Sequence, residues 1–382
     1  MAPTRIGIIG LSPTAISSWA STAHLPYLRD SPYYKITALC NSSISSAENA
    51  IKHYKLPAST KSYDDPAKLA ADPSVDLIVV AVAVKSHAKL VRPVLHARKD
   101  VFCEWPLGVN AAEARELAQL AKEKGVKTYV GTQSRVSPTV VKVRQLIKNG
   151  IIGKVTSTDA TATFGPPMDI WMASATSYLE MRSGGNPLSI RFAHFIDGFC
   201  YTLGEFLPGY HSLLAVGAKE IKVYDMKMSE FAEIAQDPES RPYKLVSRTS
   251  PDEILLQGTL EGGAVASVHF RTGAADPDGS LMRWTITGTE GLIQVTQTGG
   301  INYNQDRTAR VRIVKGKAED VELDWGEEEW KCYGKNIDMQ ANTGRLWKAI
   351  AEGMTGYMDF EGAVRRHELI DGMIDQHDAK GK

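Results

Sequence analysis

The sequence predicts an α/β fold in two parts: a doubly wound parallel sheet first, then an α+β region with an open, mainly antiparallel sheet. Three observations carry this. Strand and helix patterns alternate regularly through the first third of the chain, which calls for parallel strands joined by right-handed crossovers. Asp76–Val84 (DLIVVAVAV) is rich in β-branched residues with no polar alternation, the pattern of a strand buried on both faces. From Lys154 onward strand signals come close together, with Gly262–Gly263 and Glu290–Gly291 placed as hairpin turns. A length of 382 residues suits two domains, read here as residues 1–132 and 133–382.

In order, Arg5–Gly10 reads as the first strand, followed by a Ser- and Ala-rich segment containing Trp19. Lys35–Cys40 is the second strand and Ser45–Tyr54 a helix after a Ser-rich turn. After the Asp76–Val84 strand come helices at Ser86–Ala97 and Ala111–Lys124, with strands at Asp100–Glu104 and Lys127–Val130. Pro138–Asn149 is one more helix, with Gly150 placed to cap it. The second part then offers strands at Val155–Phe164, Ile221–Met226, Ile254–Leu260, Ala264–Phe270, Met282–Thr287 and Leu292–Thr296. Gln236–Asp252 and Gly273–Ser280 read as exposed loops, and Asn336–Gly353 as a helix.

Composition narrows the function. Lys plus Arg and Asp plus Glu are 44 each, so the formal charge is zero and direct nucleic-acid binding is not expected. The longest wholly apolar run, Leu77–Val84, is far short of a bilayer span, and MAPTRIGIIG shows no secretory signal. Cys40, Cys103, Cys200 and Cys332 lie far apart with no metal spacing, so no metal site is expected and the reading is a reduced, cytoplasmic protein. G-x-S-x-G, H-E-x-x-H and P-loop motifs are absent from the sequence.

The first strand ends at Gly10, where a dinucleotide fold needs a tight turn against a pyrophosphate. Gly10-Leu11-Ser12-Pro13-Thr14-Ala15 keeps only part of a G-x-G-x-x-G pattern: Ser12 replaces the second glycine, while Ser12, Thr14, Ser17 and Ser18 offer hydroxyls to an anion. A plain strand-to-helix turn reads equally well. The second strand ends Cys40-Asn41-Ser42-Ser43 without the carboxylate that pairs with the ribose of NAD, which tilts the reading toward NADP. His87, at the carboxyl edge of the sheet, either meets the nicotinamide ribose or simply starts a helix.

Val101–Gly108 (VFCEWPLG), Gly131–Pro138 (GTQSRVSP), the turn at Ile147–Gly153 and the run from Gly184-Gly185 through His194 to Asp197 together resemble the glucose–fructose oxidoreductase, inositol dehydrogenase and MocA family. The resemblance implies an NAD(P)-binding Rossmann domain and a C-terminal α/β domain used for a substrate or for homo-oligomerisation. Expected cofactor contacts are Gly10, Leu11, Ser12, Asn41 and Ser42, then Val82, His87, Glu104, Trp105 and Gln133. Trp105, Arg135, Trp171, Arg191 and His194 are expected at the substrate. Two departures stand out. The family's Glu-Lys-Pro is Glu104-Trp105-Pro106 here, so its catalytic Lys is missing, and Ile190 stands where an Asp is common. The Trp, the loop after Gly10 and Ser250–Leu260 resemble the fungal galactose-pathway repressor branch, whose founding members bind NAD(P) and hold an activator peptide.

Read without any family, Asn186 and Pro187 start a largely apolar helix. Arg191, His194 and Asp197 interrupt it at steps of three, along one ridge. Either they orient one another and present His194 as an acid or base, or they are a buried polar ridge that fixes packing. Trp171, Met172 and Tyr178 either line a pocket or pack a loop. Trp105 either stacks near the nicotinamide or walls the substrate pocket, or it fills the gap between the two domains. Two functions follow: an oxidoreductase using NADP or NAD on a small-molecule substrate, with His194 or Tyr178 as proton donor and Asp197 in support; or a nucleotide-bound regulator, with a nuclear location then open beside the cytoplasmic one, that holds a regulatory protein's peptide.

Overall fold

The computed structural model describes residues 2–14, 19–165, 168–299, 305–326, 330–334 and 338–380. Ser17 and Ser18, expected to offer hydroxyls to an anion, lie outside the described residues. The chain forms two compact units: residues 1–133 with 326–368, and residues 134–325 with 369–382.

The first unit is built on β1 (Thr4–Ile9), β2 (Tyr34–Cys40), β3 (Lys61–Tyr63), β4 (Leu77–Val80), β5 (Asp100–Cys103) and β6 (Thr128–Val130), all parallel in the order β3-β2-β1-β4-β5-β6. The order reverses between β1 and β4, the switch point at which open α/β sheets bind ligands. The crossovers carry α1 (Leu25–Asp30), α2 (Ile44–His53), α3 (Pro66–Ala71), α4 (His87–His96) and α5 (Ala111–Lys124). Their starts follow the sequence: Ser43, Asp65 and Asn110 each cap a helix by accepting a backbone N–H. β4 is wholly buried, as its unbroken apolar run requires.

The second unit begins with α6 (Pro138–Lys148) and contains an eight-stranded sheet. Its strands are β7 (Val155–Thr163), β9 (His211–Ala215), β12 (Glu253–Thr259), β13 (Val265–Arg271), β14 (Met282–Gly288), β15 (Gly291–Gln297), β16 (Arg310–Lys315) and β17 (Lys317–Val321). All neighbouring pairs are antiparallel except β7 with β13. A separate three-stranded sheet joins β8 (Ile170–Met172), β10 (Glu220–Tyr224) and β11 (Lys244–Ser247). β11 lies inside Gln236–Asp252, the stretch read as a loop; its pairing with β10 outweighs the polar composition. α7 (Ala193–Leu203) lies on the larger sheet, with Phe195 against Phe270 at 5.0 Å and Phe199 against Trp284 at 5.4 Å. α8 (Phe231–Gln236) packs its Ile234 against the small sheet.

The first unit is not one continuous stretch of chain, because α9 (Asp338–Ala351) belongs to it with residues 1–133. The physical reason is an uncovered face. With right-handed crossovers α3, α4 and α5 share one side of the sheet, so only α1 and α2 lie on the other. Trp347 of α9 fills that gap, stacked on Phe102 at 4.5 Å, while Tyr34 donates its hydroxyl to the Trp347 carbonyl. Met358 then bridges to Val130 at the β6 edge. α10 (Phe360–Lys380) is divided between the units after Glu368. Among the described residues no helix is long and apolar enough to cross a membrane.

Candidate functional site

Parallel β1, β2 and β4 end together around a cavity of about 570 Å³, lined by Gly10, Ser12, Asn41, Ser42 and Val82 among others. Its size is within the range of small-molecule sites. Gly10 has φ +101°, and a Cβ there would meet the Ala81 carbonyl and the Val82 side chain at 2.5 Å. Only glycine supplies this turn. Ser12 hydrogen-bonds Thr14 within the same loop, at 3.0 Å between hydroxyls. Leu11 is buried and contributes its carbonyl, which accepts from Asn41 Nδ2 at 2.9 Å. Asn41 Oδ1 is buried with no hydrogen-bond partner among the described residues. An acceptor left open beside a cavity suits a bound donor. The residues therefore fit the adenosine half of a dinucleotide.

The segment after β5 is held by a chain of three buried side chains. Trp347 Nε1 donates to His24 Nδ1 at 3.0 Å, and His24 Nε2 meets Glu104 Oε1 at 2.7 Å. An indole N–H can only donate, so Nδ1 is the accepting nitrogen and Nε2 carries the hydrogen toward Glu104. Gly131 makes room for the carboxylate: a Cβ there would strike both of its oxygens. His24 and Trp347 have no local signal in sequence, because their partners lie 80 and 323 residues away.

His87 is buried, with Nδ1 2.7 Å from the Pro106 carbonyl and Nε2 3.0 Å from that of Val82. Burial pushes its pKa down against the pull of these two carbonyls. A neutral imidazole carries one N–H, so one of these carbonyls accepts it, and the two close contacts set the ring between the β4–α4 turn and the Glu104-Trp105-Pro106 segment. Trp105 is 6% exposed and packs on the His367 ring at 4.6 Å. The packing reading of Trp105 fits this geometry. Gln133 is buried, its Oε1 without a hydrogen-bond partner among the described residues.

In the second unit, Asn186 Oδ1 accepts from the N–H groups of Leu188 and Ser189, capping the turn as expected. Leu188–Phe192 is a π-helical turn, and α7 continues from it. Arg135, expected at the substrate, instead grips Asp197 through two hydrogen bonds of 2.8 and 2.7 Å. Asp197 is wholly buried, so this forked ion pair fixes α7 from inside. His194 and Arg191 are half-buried. Burial raises the Tyr178 phenol, while the nearby charges of Arg191 and Arg248 oppose it. Trp171 stacks on Tyr178 at 4.7 Å and donates to the Ala175 carbonyl at 2.7 Å. Its indole packs with Leu179 and Ile221 in a hydrophobic cluster of the small sheet.

Residues 4–132 match the oxidoreductase family with an NAD-binding Rossmann fold, and residues 138–297 match the Gal80p C-terminal domain. The chain joins an oxidoreductase-family Rossmann domain to a Gal80p-like C-terminal domain. It is 28% identical over 296 residues to the dehydrogenase aclE of Aspergillus oryzae, covering 76% of each chain. It is 28% identical over 374 residues to the galactose/lactose metabolism regulatory protein GAL80 of Saccharomyces cerevisiae, covering 92% of this chain and 82% of that protein. The crystal structure of a super-repressor mutant of Gal80p from Saccharomyces cerevisiae superposes with a TM-score of 0.83 at 23% identity, covering 99% of this chain and 97% of that one. The relatives of this chain thus include both a dehydrogenase and a regulatory protein.

Proposed function

We propose that this protein is an NAD(P)-dependent oxidoreductase acting on a carbonyl or imine of a small metabolite. The supporting observation is the cavity at the ends of β1, β2 and β4, with Gly10 at its turn. Gly10 and Ser12 would hold the phosphates, and Asn41, Ser42 and Val82 the adenosine. A nicotinamide dinucleotide supplies the hydride chemistry when bound. Glu104, fixed by His24, and Gln133 are assigned to the nicotinamide side. His194 is assigned the proton transfer, with Tyr178 as the other candidate donor and Arg191 as a cation for the substrate. Asp197 serves through Arg135 by holding α7 in place. Trp105 replaces the family's Lys with packing, which leaves the proton to the second unit.

A second reading has its own support: the match to the Gal80p C-terminal domain and the missing Lys favour a nucleotide-bound regulator that holds a partner's peptide. Under the first reading the protein works in the cytoplasm, under the second also in the nucleus. In both, the outer face of the eight-stranded sheet is assigned to a homo-oligomer, and its neutral charge leaves direct nucleic-acid binding out. Fluorescence titration with NADH and NADPH, followed by cofactor consumption against a panel of metabolites, tests the first reading. Cofactor binding without turnover, together with capture of an activator peptide, would replace it with the second.

A further inference from the structure

The carboxylate missing after β2 has counterparts one strand over. β2 and β3 run in parallel register with Cys40 opposite Tyr63, and Asn41 N–H donates to the Tyr63 carbonyl at 3.1 Å. Continuing that register sets Asp64 beside Asn41, at the carboxyl edge where the ribose of a dinucleotide is read. Asp64 and Asp65 both line the cavity. Asp65 uses Oδ1 to cap α3, accepting from Ala67 N–H at 2.8 Å. The unpartnered Asn41 Oδ1 adds a third acceptor at the same end. Among the described residues that line the cavity, Lys89 is the one cation.

We propose that Asp64 and Asp65, from the turn after β3, take the place of the absent β2 carboxylate and make the site selective for NAD(H) over NADP(H). The inference rests on the dinucleotide-binding reading above and reverses the preference for NADP drawn from Asn41-Ser42-Ser43 alone. Hydroxyls of an unmodified ribose are donors and match three acceptors. A 2′-phosphate brings only acceptors and about two negative charges into the same space, where like charges repel. Ser42 and Ser46 hydroxyls are neutral and do not offset that repulsion; Lys89, on α4, is a single charge against two.

The test is calorimetric titration of the full chain with NADH and NADPH, on wild type, Asp64→Asn/Asp65→Asn and Lys89→Ala. Asn remains a good helix cap, so the double variant is expected to melt near wild type. Wild type is expected to bind NADH at least about tenfold tighter, and the double variant to bring the two affinities within about threefold. Lys89→Ala is expected to change both affinities by a similar factor. Equal or tighter NADPH binding by wild type, an unchanged ratio in the double variant, or a selective loss of NADPH in Lys89→Ala would each overturn the assignment while leaving dinucleotide binding standing. Binding of neither cofactor would overturn both.

Discussion

The imidazole of His24 joins the carboxylate of Glu104 at 2.7 Å while its other nitrogen accepts from Trp347, so a residue of the first crossover, one after β5 and one of α9 form a single buried line. The side chains of His24 and Trp347 are fully buried and that of Glu104 is 11% exposed. In such surroundings an unpaired group bears its full desolvation penalty.

Trp347→Phe keeps a ring against Phe102 but removes the donor to His24 Nδ1. The expected loss is about 1–3 kcal/mol of stability, the penalty for a buried acceptor left open. Urea denaturation measures it. A variant as stable as wild type would show that the indole contributes packing alone.

Trp105→Lys introduces, at a buried and packed site, the Lys that the family resemblance implies there. The indole lies on His367, so its loss removes buried apolar area and brings an ammonium toward an imidazole already held neutral. Destabilisation of about 3–5 kcal/mol is expected, the range for losing a buried Trp. The change is also expected to create no sugar dehydrogenase activity, since position 190, where the family resemblance implies an Asp, remains Ile190. A stable variant that oxidises free sugars would reverse both statements.

Burial, helped by the neighbouring His87, pushes His367 down to about 3. An unfolded imidazole binds its proton near 6.5, so between about pH 6.5 and 3 the unfolded chain holds a proton that the folded chain does not. Stability conferred by the neutral form is complete above 6.5 and falls as pH drops through that window, by up to about 1.4 kcal/mol per pH unit for one group. His367→Gln is expected to flatten the fall between pH 6.5 and 4.5 in chemical denaturation. An identical slope in both proteins would remove His367 from the cause.

Most of the parallel sheet was legible because each strand carries its own local signal: Asp76–Val84 announces a doubly buried strand, and Asn110 and Gly125 frame α5. Gly10 was legible for the same reason. What escaped depends on distant pairing. β8 and β11 are short and acquire their identity from β10, α9 joins the first unit through distant partners such as Phe102 beneath Trp347, and His24 acquires its role from Glu104 and Trp347. The steps of three from Arg191 to Asp197 were real, but periodicity could not reveal that Arg135, 62 residues earlier, holds the Asp197 carboxylate. Asp64-Asp65-Pro66 did carry a signal, a helix cap followed by proline, that marks the turn at the nucleotide cavity.

Arg135 and His194 separate structure from chemistry in the second unit. Arg135→Ala leaves the wholly buried Asp197 carboxylate without its forked cation, and breaking such a pair typically costs about 3–5 kcal/mol. Arg135→Lys recovers the charge but not the fork, so it should fall between the alanine variant and wild type. His194 is half-buried, and as the proton-transfer group its replacement by Ala should slow turnover by roughly 10²–10⁴-fold while cofactor affinity and melting temperature stay near wild type. Measuring melting temperature, NADH affinity and turnover on the same preparations sets the two residues against each other. A His194→Ala protein that melts early, yet turns over normally per folded molecule, would make His194 a second packing residue and move the proton transfer to Tyr178.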